Sequence, residues 1–105
     1  MGADAYMLAV VPVRVAEELD ILQYDSSEYP DKLEWVAVEY GWQPTTHASQ
    51  ELADAIGVDL YEQPGRKIYK PYYGIVPEDD SLREIQRITN TLIERGYGVF
   101  LMPNY

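Results

Sequence analysis

The sequence predicts an α+β domain in which a small sheet of three or four strands is packed by one long helix. Residues 5–13 form a continuous apolar run, as is typical of a central strand. Residues 81–95 carry an apolar stripe at helical spacing, and residues 97–102 form a second apolar run that ends at Pro103. The chain has 105 residues, the usual size of one domain, so we predict a single domain over residues 1–105.

The first third of the chain begins with the predicted central strand over residues 5–13. Because this run has no polar face, we expect it to be buried on both sides. Leu19 and Leu22 recur at helical spacing and predict a short helix within residues 16–24. The composition of residues 25–30 predicts a loop.

Residues 31–40 carry conflicting signals. Asp31 and Glu34 have the spacing of a capping box, and Gly41 stands where a glycine commonly ends a helix. Against this, the segment contains strand-favouring residues such as Trp35. We predict a helix here, which places an acidic helical segment between the first and second strands. A strand in its place would bring the order of elements close to a ferredoxin-like arrangement.

The middle of the chain is predicted to hold a short helix and a tyrosine-rich strand. The helix covers residues 49–56 and ends at Gly57. The strand covers residues 66–76, where Pro71 indicates an edge position or a bulge. Together with the last helix and strand, it forms a strand–helix–strand unit that could make a right-handed parallel crossover.

The helix over residues 81–95 has the clearest end signals in the chain. Ser81 and Glu84 have capping-box spacing, and the acidic residues 78–80 suit the positive end of the helix dipole. Gly96 is predicted to end this helix. These structural roles explain the acidic residues without a bound metal ion.

Negative charge is concentrated in one part of the sequence. The net charge is −10, and residues 1–63 contain thirteen acids with only Arg14 and Lys32 as bases. Residues 64–105 have a net charge of +1. The balance disfavours direct nucleic-acid binding and suits a basic partner protein, although it would also serve solubility alone.

Few residues could support catalysis or bind a cofactor. The absence of cysteine removes thiolate nucleophiles and cysteine-based metal sites, and it fits a reducing compartment. The single histidine, His47, is predicted to be an exposed residue near a helix start. No apolar run is long enough to span a bilayer. We therefore expect a cytoplasmic, non-enzymatic protein with no cofactor, no metal and no membrane partner.

The leading functional hypothesis is a protein-binding module that engages a basic partner. Acidic inhibitors, including immunity and antidefence proteins, can imitate a nucleic-acid backbone, so the partner could be a nucleic-acid-handling protein. Ten tyrosines against one phenylalanine also favour a contact surface. The predicted partner-binding residues are Glu17, Glu18, Asp20, Asp31, Glu34, Glu39, Trp35, Tyr69 and Tyr72.

Two alternatives remain open from the sequence. One is a small-molecule-binding or enzymatic α/β domain with a tyrosine-lined pocket. The other is a homo-oligomeric structural component joined through residues 66–76 or through the final strand, with the charge serving solubility. A homodimer is compatible with each of these hypotheses.

Overall fold

The computed structural model describes residues 4–60 and 65–104. Within these ranges, a four-stranded antiparallel sheet is combined with three α-helices, which confirms the predicted α+β class. The elements are β1 (Asp4–Pro12), α1 (Val13–Glu18), β2 (Trp35–Gln43), α2 (Thr46–Ala55), β3 (Arg66–Lys67), α3 (Asp80–Glu94) and β4 (Gly98–Asn104). A short 3₁₀ helix spans Ser26–Glu28.

Strand β1 lies inside the sheet, whose order is β2-β1-β4-β3. Its central position confirms the prediction, but the prediction that both of its faces are buried is wrong. Alternate side chains are fully buried, whereas the residues between them are only half-buried. The buried set is Ala5, Met7, Ala9 and Val11, and the half-buried set includes Tyr6, Leu8 and Val10. An antiparallel sheet can leave one face uncovered in this way.

The buried face of β1 forms one core with the helices. Leu52 of α2 and Leu92 of α3 are fully buried in the same cluster as Met7 and Leu101 of the sheet, and Val15 of α1 joins them. Burying each large aliphatic side chain stabilises the fold by about 1.5–3 kcal/mol. The opposite side of the sheet, which we call the open face, contributes nothing to this cluster.

The predicted helix over residues 31–40 is wrong, because the chain forms a turn followed by β2. The Asp31 carboxylate accepts a hydrogen bond from Leu33 N at 2.9 Å, and Asp31 O accepts one from Glu34 N at 3.1 Å. An aspartate that caps a helix can equally close a turn, so this signal did not distinguish the two. Pairing along β1 then favours the strand, in keeping with residues such as Trp35.

Gly41 forms a β-bulge rather than a helix end. The register places Gln43 opposite Ala5 and Tyr40 opposite Met7, so two residues of β2 face Tyr6. Gly41 has a φ of 68°, and a Cβ at this position would lie 3.1 Å from Ile85 Cδ1. The bulge allows α3 to approach β2 closely.

The predicted strand over residues 66–76 is also wrong in length and in pairing direction. Only Arg66–Lys67 pair with the sheet, and they pair antiparallel with β4. The parallel crossover is therefore wrong. Pro71 has no backbone N–H to donate to a neighbouring strand. The backbone N–H and C=O of Tyr72 are bonded to the side chain of Asn90, so they do not pair with a strand. Because α2 joins β2 to β3, the order also differs from a ferredoxin-like one.

The three helices lie near their predicted positions with different ends. The first predicted helix, at residues 16–24, begins and ends earlier, at Val13–Glu18. Helix α2 begins before residue 49 because the Thr45 hydroxyl accepts a hydrogen bond from Ala48 N at 3.1 Å. Helix α3 is capped by Asp79 rather than Ser81, through bonds from Ser81 N and Leu82 N.

A buried hydrogen bond joins the sheet to α3. The Tyr40 hydroxyl lies 2.7 Å from Thr89 Oγ1, and both residues are buried. Burial raises the pKa of Tyr40 well above its ordinary value. The hydrogen bond to Thr89 lowers this pKa, but by less than burial raises it. In the unfolded chain Tyr40 ionises near pH 10, so the unfolded state loses this proton first. The stability of the fold therefore falls as the pH rises above about 10.

We predict that Tyr40→Phe makes the free energy of unfolding less dependent on pH above about pH 10. At pH 7 the variant should lose about 1 kcal/mol, because it lacks the hydrogen bond to Thr89. Urea unfolding of both proteins at neutral and alkaline pH measures this. Tyr69→Phe, which alters an exposed ring, should match the wild type at both pH values. An unchanged alkaline slope in Tyr40→Phe would contradict the prediction.

Candidate partner-binding site

The nine residues predicted to bind a partner do not converge on one surface. Trp35 begins β2 at one edge of the sheet, whereas Tyr69 follows β3 at the opposite edge. Trp35 is 59% exposed and packs edge-on against Tyr97, with ring centroids 5.8 Å apart. The predicted set therefore includes residues at opposite edges of the sheet.

Two of the predicted acids on α1 already have basic partners within the chain. Lys32 Nζ lies 2.7 Å from Glu17 Oε2. Arg95 donates from Nη1 and Nη2 to the two carboxylate oxygens of Glu18, at 3.1 and 3.0 Å. The hydrogen bond and charge of Arg95 hold the pKa of Glu18 below its ordinary value. These two carboxylates join parts of the fold and have less charge to offer a partner.

The remaining predicted acids differ in their surroundings. The carboxylate of Asp31 is used in its turn, while Asp20 and Glu34 are exposed. Glu39 lies half-buried on the open face, where its carboxylate accepts a hydrogen bond from Trp42 Nε1 at 3.2 Å. Of these four acids, Asp20 and Glu34 are exposed and have no basic partner among the described residues.

The two predicted tyrosines also have different environments. Tyr69 is 74% exposed, and Lys67 Nζ lies 5.6 Å from the centroid of its ring. Tyr72 is half-buried, with its ring lying against Gly57 so closely that a Cβ there would come within 2.5 Å. Tyr69 is thus available for contact, whereas Tyr72 serves to pack the loop onto α2.

Two amide side chains of α3 hold the loop between β3 and α3 in place. Asn90 accepts from Tyr72 N and donates to Tyr72 O, both at 2.9 Å, so it pairs with the backbone as a strand would. Gln86 Nε2 donates to Ala55 O at 2.7 Å and to Ile75 O at 3.0 Å. The loop is therefore fixed against both α2 and α3.

A groove runs between α2 and the start of α3, floored by apolar side chains and walled by acids. It consists of two depressions of about 770 and 460 Å³ that share Glu51, Asp79 and Leu82. We call it the acidic groove. Its carboxylates belong to Glu51, Asp54, Glu78, Asp79, Asp80 and Glu84. Among the described residues, none that lines the groove is lysine or arginine.

Two carboxylates of the acidic groove are paired with basic residues on α3. Arg83 Nη2 lies 2.6 Å from Asp80 Oδ1, and Arg87 pairs with Glu84, which lowers the pKa of that carboxyl. The other four have no lysine or arginine partner in the described part of the chain. Their charge is therefore not offset by a lysine or arginine among those residues.

These four acids make only weak or local contacts. His47 Nε2 lies 3.1 Å from Glu51 Oε1 on the exposed surface of α2. Asp54 accepts a hydrogen bond from the amide of Gln50 at 3.0 Å, and Asp79 caps α3. Each of the contacts to Glu51 and Asp54 occupies one carboxylate oxygen and leaves further lone pairs able to accept hydrogen bonds.

The floor and one rim of the acidic groove are apolar. Leu82 and Ile85 of α3 line it from below, and the exposed side chain of Ile75 stands at its edge. Val76, next in the chain, is 70% exposed. Trp42 of β2 also contributes to the lining at one end. The surface thus offers acidic groups and apolar area side by side.

Two other kinds of site are absent from the described residues. Within residues 4–60 and 65–104, no three acidic or histidine side chains lie close enough to hold a metal ion. In those ranges no helix is both long and apolar enough to cross a membrane.

Comparison with protein-family models, with curated proteins and with solved structures gave no significant match.

The sequence did not identify the acidic groove, because its acids come from separate segments. Two signals were nonetheless present. Glu51 and Asp54 are three residues apart on α2, which places them on one side of that helix. The acidic residues 78–80 precede α3, where they were explained by the helix dipole alone.

We predict that Asn90→Ala loosens the loop that carries Ile75 and Val76. The variant leaves Tyr72 N and O without their partner and should lower the free energy of unfolding by about 1–3 kcal/mol. Amide hydrogen exchange should show faster exchange at Tyr72. Gln50→Ala, which removes an amide that donates to Asp54 rather than to the loop backbone, serves as the control and should leave this loop unchanged. Unaltered protection of the Tyr72 amide in Asn90→Ala would refute the anchoring role.

Proposed function

We propose that this chain is a non-enzymatic protein-binding module that receives a basic segment of a partner protein in the acidic groove. The observation that carries the proposal is the lining of the groove, which combines six carboxylates with an apolar floor and lacks lysine and arginine among the described residues. Such a lining is complementary to a segment that carries both basic and apolar side chains.

Charge selects the partner in this proposal. Carboxylates in a concave surface concentrate the negative potential, which speeds the approach of a basic segment. Arginine can bond a carboxylate through two parallel hydrogen bonds. Glu51, Asp54 and Glu78 have no lysine or arginine partner in the described residues, so they supply the acceptors.

Apolar contact supplies most of the affinity. An exposed ion pair contributes only about 0.2–1 kcal/mol, so a few such pairs do not hold a partner by themselves. Burial of apolar area contributes about 25 cal/mol per Å². Ile75, which is 63% exposed, provides that area at the rim of the groove, with the exposed Val76 next to it in the chain. Leu82 and Ile85 form the floor but are already buried in the core.

The groups with shifted pKa values each have a structural explanation. Strongly shifted groups often mark catalytic sites. Here the shifts of Glu18 and Glu84 arise from surface pairing with arginine, and that of Tyr40 arises from burial in the core. Each is explained by a structural contact rather than by a pair of groups prepared for proton transfer.

The proposed class is an acidic inhibitor or an immunity or antidefence protein. In such proteins a row of carboxylates can stand in for nucleic-acid phosphates before a basic, nucleic-acid-handling partner. The proposed location is the cytoplasm, since a chain without cysteine suits a reducing compartment.

We predict that a synthetic peptide of alternating arginine and leucine binds the protein, and that Glu51→Lys with Asp54→Lys weakens its binding at least about tenfold. Both residues are exposed on α2, so the double variant should keep the fold. Isothermal titration calorimetry of the full chain at low and high salt measures the effect. Binding to the wild type should weaken as salt rises.

The matched control is Glu28→Lys with Glu34→Lys, which changes the net charge equally at exposed positions outside the acidic groove. It should retain most of the affinity. An equal loss in both double variants would mean that only the total charge matters, and the acidic groove would not be the site. Equal binding of a peptide with glutamine in place of arginine would also exclude the proposal.

A further inference from the structure

The open face of the sheet is a broad apolar surface on the side away from the helices. None of its residues belongs to the core or to the partly buried residues that pack against the core. Its apolar side chains are Tyr6, Leu8, Val10, Trp35, Ala37, Trp42, Phe100 and Met102. A contiguous apolar patch on a protein with this much charge commonly marks a contact surface.

The charged residues of the open face are arranged in a regular way. Glu39 of β2 pairs with Leu8 of β1, Leu8 pairs with Phe100 of β4, and Phe100 pairs with Lys67 of β3. Directly paired residues share one face of a sheet, so these four side chains form a row across all four strands. The row has an acid at one edge, a base at the other and two apolar residues between them.

Glu39 and Lys67 cannot satisfy each other within one chain. Neighbouring strands lie about 4.8 Å apart, so the three intervals from β2 to β3 separate the two backbones by about 14 Å. The Glu39 carboxylate is held on the open face by Trp42 Nε1, and Lys67 lies beside the ring of Tyr69. Both charges thus remain available above the plane of the sheet.

We propose that the open face binds the open face of a second copy of this chain. A two-fold axis parallel to the strands, passing between β1 and β4, exchanges the β2 edge of one copy with the β3 edge of the other. Glu39 of each copy then lies opposite Lys67 of the second copy, and Leu8 lies opposite Phe100. The interface is self-complementary, as two-fold contacts require.

The open face is the surface on which two copies of this chain can meet with the least repulsion. The chain has a net charge of −10, so two copies repel each other through most of their surfaces. The described charged residues on the open face are Glu39, Lys67 and, at one corner of β1, Asp4. Because the axis sets β1 of one copy against β4 of the other, Asp4 does not meet its own symmetry mate.

The dimer leaves the acidic groove accessible. Helices α2 and α3 cover the opposite side of the sheet, so both helical layers face outward when the open faces meet. Two sheets packed face to face lie about 10 Å apart with their strands nearly aligned. Trp42 lies on both surfaces, but the other residues of the dimer interface and of the proposed partner site differ, so the two can be tested with separate variants.

Charge exchange across the interface tests this dimer. Sedimentation equilibrium of the full chain should give a dimer for the wild type. Glu39→Lys alone or Lys67→Glu alone places like charges opposite each other and should raise the dimer dissociation constant at least about tenfold. The double variant Glu39→Lys/Lys67→Glu restores opposite charges and should return the constant close to the wild-type value.

Two matched controls separate this geometry from a general effect of charge. Glu94→Lys changes an exposed acid on α3. Arg66→Glu changes an exposed base of β3, which pairs with the buried Leu101 and therefore lies on the face of the sheet away from the proposed interface. Both should remain dimeric. Leu8→Lys, at the centre of the open face and outside the core, should give a folded monomer.

Three results would overturn the dimer. The wild type could remain monomeric at the highest soluble concentration, the double variant could fail to recover the dimer, or Glu94→Lys could dissociate it as strongly as Glu39→Lys. A monomeric wild type that still binds the arginine–leucine peptide through the acidic groove would overturn the dimer and leave the proposed function in place.

Discussion

The alternation of side chains along β1 is the constraint on which the rest of the structure depends. Every second residue is fully buried beneath the helices, while the residues between them remain half-buried on the open face. The small side chains of Ala5 and Ala9 let the helical layer lie close to the sheet, and Met7 fills the space between them. Because β1 is bonded to both β2 and β4, its two faces fix the two faces of the whole sheet.

The β-bulge at Gly41 then determines where the acidic groove lies. The bulge presents a backbone without a side chain to Ile85, so α3 can pack against the end of β2. It also turns Trp42 toward Tyr6, where the two rings stack with centroids 4.1 Å apart. One glycine thus shapes both proposed binding surfaces, because Gly41 and Trp42 line the groove and Trp42 also lies on the open face.

The sequence predicted the parts of the fold that local patterns specify well. The apolar stripe of α3 and the apolar runs of β1 and β4 were located correctly because burial of those residues and local preference agree. Residues 31–40 were mispredicted because aspartate and glycine serve turns and bulges as well as helix ends. Burial of Val38 and Tyr40 beside β1 decided the outcome, and that pairing is not a local property.

The candidate site was harder to predict than the fold. Charge density along the chain pointed to Glu17 and Glu18, but their partners, Lys32 and Arg95, lie 15 and 77 residues away. A count of acids cannot show which of them are already paired. The groove acids instead come from α2 and from the start of α3, which the fold brings together. Segregation of charge along the sequence therefore did not correspond to segregation on the surface.

The central claim is that the two faces of this sheet have separate binding roles, with the acidic groove taking the basic partner. Mapping backbone amide chemical shifts while the arginine–leucine peptide is added tests it most directly. The account predicts shifts centred on Glu51, Asp54 and Leu82, with the amides of Leu8 and Phe100 unchanged. Shifts centred instead on Glu17 and the start of β2, or spread evenly over all acidic residues, would contradict it.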